Sequence, residues 1–325
     1  MWERMDALVA RAPDRAALRH HGLELFAARA RRRAGLELDA DLAQAQRVAA
    51  MRAVAVPVLL RRIRAIADGP LVLMKGPEAA ASYPAPDCRV FKDLDLLTPQ
   101  PERVHAALIG AGFVQTATGA TDQHLAELQW PGIPLTVEIH RTIHGVLGAP
   151  VPPTETLLSL TVPSRTRVAG VDAFEPSAHA VLLAIHAWAH GPLERLGSLF
   201  DVAAVLADGD ARRADQVARE WGCPRLWETT TACLDALLCD ARAPLAQRVF
   251  ARHLVAGSEP RVLDTYVGRL AGPLWGLPLS RTWRGLRSEL ARTALPYEGE
   301  RWGAQWSRAR RAIGNTFSPL SAYRA

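Results

Sequence analysis

Residues 90–99 read VFKDLDLLTP, and two aspartates stand inside what is otherwise a buried strand. Phe91, Leu94, Leu96 and Leu97 require a core, whereas Asp93 and Asp95 do not. Burying an unpaired carboxylate is expensive, so the fold must bring a compensating group to each. Side chains two apart in a strand point the same way, so Asp93 and Asp95 share one face and Leu94 and Leu96 the other.

A second segment repeats this alternation. In TVEIHR, residues 136–141, Glu138 and His140 share a face opposite Val137 and Ile139. If the two strands are neighbours, three carboxylates converge. Like charges that close raise one another's pKa values unless a cation lies between them. Oxygen-rich clusters of this kind suit Mg2+ or Mn2+. The competing reading pairs Asp93 and Asp95 with Arg89 and Lys92 in a surface network.

The flanking sequence places these strands in a small α/β core. LVLMK, residues 71–75, reads as a short buried strand. Gly76-Pro77 follows, with Pro77 suited to the first turn of a helix, PEAAASY. PERVHAALIGAG predicts a helix closed by Gly112. FVQTA reads as a short strand, and HLAELQW and LTVEIHR form a hairpin across the turn PGIP. Residues 1–67 have helical spacing with few breakers, ended by Gly69-Pro70. Beyond about residue 150 the pattern is helical again, most clearly in SAHAVLLAIHAWAHGPLERLGSLFDVAAVLA. The expected class is α+β: a mixed-sheet core over 68–150, an N-terminal helical arm over 1–67 and a C-terminal helical region over 151–325.

Composition narrows the function classes. The chain has 325 residues, 49% of them hydrophobic and 22% charged, as in an ordinary globular protein. It contains no apolar run of membrane-spanning length, and its N-terminus, MWERMDALVARAPDR, is no signal peptide. Four cysteines without CxxC spacing suggest neither a zinc site nor a disulfide framework, and a cytoplasmic location is expected. Of 39 basic residues only Lys75 and Lys92 are lysine, and they flank the DLDLL strand. From Arg281 onward, nine arginines face three glutamates, an excess of +6 that equals the net charge of the whole chain. Such a tail can attract phosphates, nucleic acid or an acidic partner. A solvated helical face is the preferred reading, and a nucleic-acid partner is not favoured. His186 and His190 stand four apart on one helix face, as in zinc sites, but without an HExxH pattern. Acceptor recognition or hydrogen bonding to the core suits them better.

The ordered set Lys75-Gly76, Arg89, Asp93-Leu94-Asp95-Leu96-Leu97, Gly112-Phe113, His124 and Glu138-Ile139-His140 resembles the uncharacterised bacterial nucleotidyltransferase family, within the DNA polymerase β-like superfamily. His186, His190, Arg195 and Asp201 continue the likeness, which covers about residues 40–206. The resemblance implies that Asp93 and Asp95 bind two divalent cations, Mg2+ or Mn2+. Glu138 would complete the second cation site and help deprotonate the acceptor. The co-substrate would be an NTP, attacked in line at its α-phosphorus with release of pyrophosphate. Lys75, Gly76, Arg89 and Lys92 would contact the nucleotide, while His124, His140, His186 and His190 would serve the acceptor or the structure. An association of the family with peptide-tailoring pathways makes a modified peptide a candidate acceptor, beside a protein or small molecule. The chain departs from the pattern at Gly76-Pro77, where many superfamily members have Gly-Ser, and at Lys92, where a small hydroxyl residue is common. Two other readings stand against this one: a non-catalytic NTP-binding regulatory scaffold, and a histidine-based metal hydrolase.

Overall fold

Leucines and valines on alternating strand positions need partners on both faces of a sheet, and two helical layers supply them. A computed structural model describes residues 1–116, 119–145, 151–296 and 301–324. Its strands are β1 (Val72–Leu73), β2 (Asp93–Leu97), β3 (Val114–Gln115), β4 (Leu128–Gln129), β5 (Thr136–His140), β6 (Thr161–Pro163) and β7 (Asp172–Phe174). They form one mixed sheet in the order β3-β4-β5-β2-β1-β7-β6. The pairs β2–β5 and β1–β7 are parallel, and the remaining neighbours are antiparallel. The fold is α+β, with helices covering the sheet.

The two faces bury different partners. Leu73, Leu94, Leu96, Val137 and Ile139 pack against Val56, Leu59, Leu60 and Ile63 of the long helix Ala40–Ile66 and against Val104 and Leu108 of Pro101–Gly110. Val72, Met74, Leu97 and Phe174 face a larger cluster built from helices Pro176–His190, Leu196–Leu206, Ala211–Glu220 and Pro224–Leu238. Met5, Leu8 and Phe26 of the N-terminal helices join that second cluster. Asp93 and Asp95 alternate with Leu94 and Leu96, so they lie on the face of the helical bundle.

The expected hairpin, short strands and first helices are all present. Three differences have simple causes. The sheet continues past residue 150, because β6 and β7 add to the β1 edge. Each has three residues, too few for an alternation to be seen within a segment read as helical. The long helical run splits at Gly191-Pro192 into Pro176–His190 and Leu196–Leu206, since proline supplies no backbone donor. The helix expected after Gly76 is a single turn, Pro77–Ala80. Among the described residues, no helix is long and apolar enough to cross a membrane.

Candidate active site

The parallel register of β2 and β5 sets Asp93 beside Thr136, Asp95 beside Glu138 and Leu97 beside His140. Asp95 is almost completely buried, and Lys75, from the end of β1, reaches its Oδ1 at 2.9 Å. His140 Nε2 donates both to Asp95 Oδ1, at 3.1 Å, and to Glu138 Oε2, at 3.2 Å. Asp95 Oδ2 and His140 Nδ1 are buried without a hydrogen-bond partner among the described residues. Asp93 has no ion pair among the described residues.

This arrangement drives the neighbouring carboxyls apart. Burial and then the negative charge of Asp95 push Asp93 up to about 6. Burial acts on Asp95 in the same direction, but Lys75 and His140 outweigh it and hold that carboxylate well below its usual range. Glu138 is also lowered, because the His140 hydrogen bond overcomes its burial. Burial alone would lower His140, yet its bonds to Asp95 and Glu138 raise it above an ordinary imidazole.

A tight turn supports the acidic strand. Gly76 has φ +62°, and a Cβ there would lie 3.0 Å from the carbonyl oxygen of Asp93. Only glycine accepts both the conformation and the approach. Arg89 braces this turn by donating to the Gly76 carbonyl at 3.1 Å. The rest of its guanidinium holds Asp201 in a two-pronged pair, at 2.7 and 2.8 Å, and Tyr83 donates to the same carboxylate at 2.6 Å. Arg89 therefore bonds Asp201 rather than Asp93 or Asp95, so the competing surface network with Arg89 does not form. Lys92 is exposed and lines the cleft beside Asp93.

The histidines fall into two groups. His140 is central, and the His124 ring lies 5.4 Å from it while its Nδ1 bonds the Leu125 carbonyl at 2.8 Å. His186 and His190 lie together, with ring centroids 4.4 Å apart. His144, in the loop after β5, joins them at 5.0 and 5.2 Å. One nitrogen from each of the three lies within 4.8 Å of the others. Lys75 Nζ is 3.2 Å from His186 Nδ1 and so touches both groups. Burial first, then Lys75, lowers all three rings, His144 to about 3. Sequence reasoning missed His144, which follows the end of β5 and belongs to no periodic pattern. Its only signal was being the second histidine after Glu138, four residues past His140 at the strand end.

Acidic and imidazole groups line one cleft of about 710 Å3 between the sheet and helix Pro176–His190. The acidic wall fits a divalent cation. Asp95, Glu138 and His140 each offer a donor atom within 4.8 Å of the others, and Asp93 stands two residues from Asp95 on the same strand face; carboxylate oxygens are the donors that Mg2+ and Mn2+ prefer. The orphaned Asp95 Oδ2 and the raised Asp93 are what a carboxylate pair only partly neutralised by Lys75 should display.

No curated protein and no solved structure is significantly similar to the chain. Residues 15–238 match the family described as uncharacterised nucleotidyltransferase. That span takes in every strand of the sheet, both groups of site residues and the Arg89–Asp201 brace. The acidic cleft is thus carried on the part of the molecule that defines the match, and the chain belongs to the uncharacterised nucleotidyltransferase family.

Proposed function

We propose that the cleft transfers a nucleoside monophosphate from an NTP to an acceptor hydroxyl in a reaction that depends on divalent cations. The observation that carries this reading is the β2–β5 register, which sets Glu138 directly beside Asp95 with Asp93 two residues away on the same face. In the reaction, the acceptor oxygen bonds the α-phosphorus, the bond to the bridging oxygen of pyrophosphate breaks, and the hydroxyl proton leaves. Bound Mg2+ or Mn2+ would neutralise the triphosphate and stabilise the charge that develops on the attacking and leaving oxygens. Asp93, Asp95 and Glu138 would hold it.

The chain's own residues supply the remaining functions. Glu138 is held ionised and can accept the hydroxyl proton. His140 fixes the orientation of Glu138 through Nε2. Lys75 offers its ammonium to a phosphate oxygen at the inner end of the cleft. Gly76 allows close backbone approach, although Pro77 contributes no N–H. Arg89 acts through the turn it braces, and Lys92 is free to reach the phosphates from the rim. The acceptor is a hydroxyl of a peptide, protein or small molecule. Cys88, Cys223 and Cys233 are buried free thiols, which suits action in the reducing cytoplasm.

The test is to incubate the protein with Mg2+, each labelled NTP in turn and cell extract, and to identify what becomes labelled. Label that appears equally with Asp93→Asn would sink the assignment. One observation favours a second reading, a non-catalytic NTP-binding scaffold: Lys75 and His140 already satisfy Asp95 Oδ1 and Glu138 Oε2. A scaffold would bind Mg-NTP and label nothing.

A further inference from the structure

Three imidazoles converge on the helix side of the cleft, and none of the proposed transfer steps uses them. His186 and His190 come from one helix face, and His144 comes from the loop after β5, beside the buried Ile143. His144 and His190 make no hydrogen bond among the described residues. A histidine that serves only packing usually finds a partner for at least one ring nitrogen. Here one nitrogen from each of the three rings lies within 4.8 Å of the others instead.

We propose that His144, His186 and His190 form a binding site for a transition-metal cation of the Zn2+ class, distinct from the carboxylate site on the sheet wall. The chemistry of the two donor sets separates them. Carboxylate oxygens suit Mg2+ and Mn2+, whereas imidazoles suit Zn2+ and its borderline neighbours. Zinc bound by three histidines keeps a fourth position open for water or substrate. All three histidines line the cleft, so a ligand there would have access to such a position.

Lys75 sets the energetic condition. Its ammonium touches His186 at 3.2 Å and Asp95 at 2.9 Å. A cation taken up by His186 displaces the lysine from that ring. The buried Asp95 remains to hold it, so the displacement leaves no unpaired ammonium. The site does not depend on the nucleotidyltransferase reading, and its test needs no turnover.

Tag-free protein, stripped with a chelator and kept in excess Mg2+ to occupy the carboxylates, is titrated with Co2+ and then competed with Zn2+. The expected result is the intense visible absorption of a single four-coordinate, nitrogen-rich Co2+ per chain, bleached by Zn2+. His144→Ala and the exposed His190→Ala should each weaken Co2+ binding at least tenfold, since even loss of an outer-shell partner costs about 10–100-fold. His190 lies at the surface, so that variant remains informative even if His144→Ala does not fold. Asp93→Asn should leave the spectrum unchanged. The proposal is overturned by absence of the spectrum in the wild type, by equal Co2+ affinity in His190→Ala, or by loss of the spectrum in Asp93→Asn.

Discussion

Asp95 and Asp201 are both largely buried, and each faces a cation, yet their surroundings differ. Asp201 is closed: Tyr83 and Arg89 donate to Oδ1, and Arg89 donates again to Oδ2. Asp95 is open: Lys75 and His140 crowd Oδ1, and Oδ2 is buried without a partner among the described residues. A closed network rigidifies what it joins, here the turn at Gly76 and helix Leu196–Leu206. An open one retains coordinating capacity and pays for it with a destabilised neighbour, Asp93, whose carboxyl is raised to about 6. On the proposed reading, the contrast separates residues that build the cleft from residues that would act in it.

The largest effect expected from this contrast is on catalysis. Asp95→Asn should reduce nucleotidyl transfer by on the order of a thousandfold or more, since metal-assisted charge stabilisation is worth several kcal/mol. Its far-UV circular dichroism should match the wild type. Retained turnover, measured with labelled NTP, would break the comparison at its open end.

The closed end should respond in stability. Asp201→Ala leaves the Arg89 guanidinium largely buried and unpaired, so urea unfolding should show a loss of about 3–5 kcal/mol. The folded fraction should still bind Mg2+, because Asp201 touches none of the three acidic residues. Unchanged stability would mean that this pair is no brace.

Glu138→Gln sharpens the division within the open cluster. General-base removal typically lowers rate about 10²–10⁴-fold, and the effect should fall on kcat rather than on the KM for NTP. A rise in KM at constant kcat would make Glu138 a binding residue only.

The smallest effect is a pH dependence. The folded value of Asp93, about 6, lies above its ordinary 3.8, so the folded chain holds the proton more tightly than the unfolded chain. Stability from this group is present at low pH and lost as pH rises from about 4 to 6. Asp95 has the opposite sign, and its contribution is lost only as pH falls below its unfolded value. Metal-free Asp93→Asn should therefore melt roughly 2–4 °C above the wild type at pH 7, a gap that closes toward pH 4. Parallel melting curves across that range would show that Asp93 behaves as a solvated carboxylate.

Much of the site was legible before any fold was known. Alternation in DLDLL and TVEIH determined which side chains share a face, because a strand's period of two is a local property. The spacing of His186 and His190 assigned them to one helix face for the same reason. Gly76 before Pro77 marked a turn that only these residue types accept. Only the tertiary structure decided which faces meet. Glu138 lies beside Asp95 because β2 and β5 run parallel in one register, and that choice depends on burying Leu94, Leu96, Val137 and Ile139 together. Arg89 found Asp201, 112 residues away, instead of the aspartates near it in sequence. His144 joined His186, 42 residues further along the chain, and β6 and β7 extended a sheet their three-residue length could not announce. Periodicity is written into a few neighbouring residues, whereas register and long-range pairing follow from how the whole chain excludes water from its two cores.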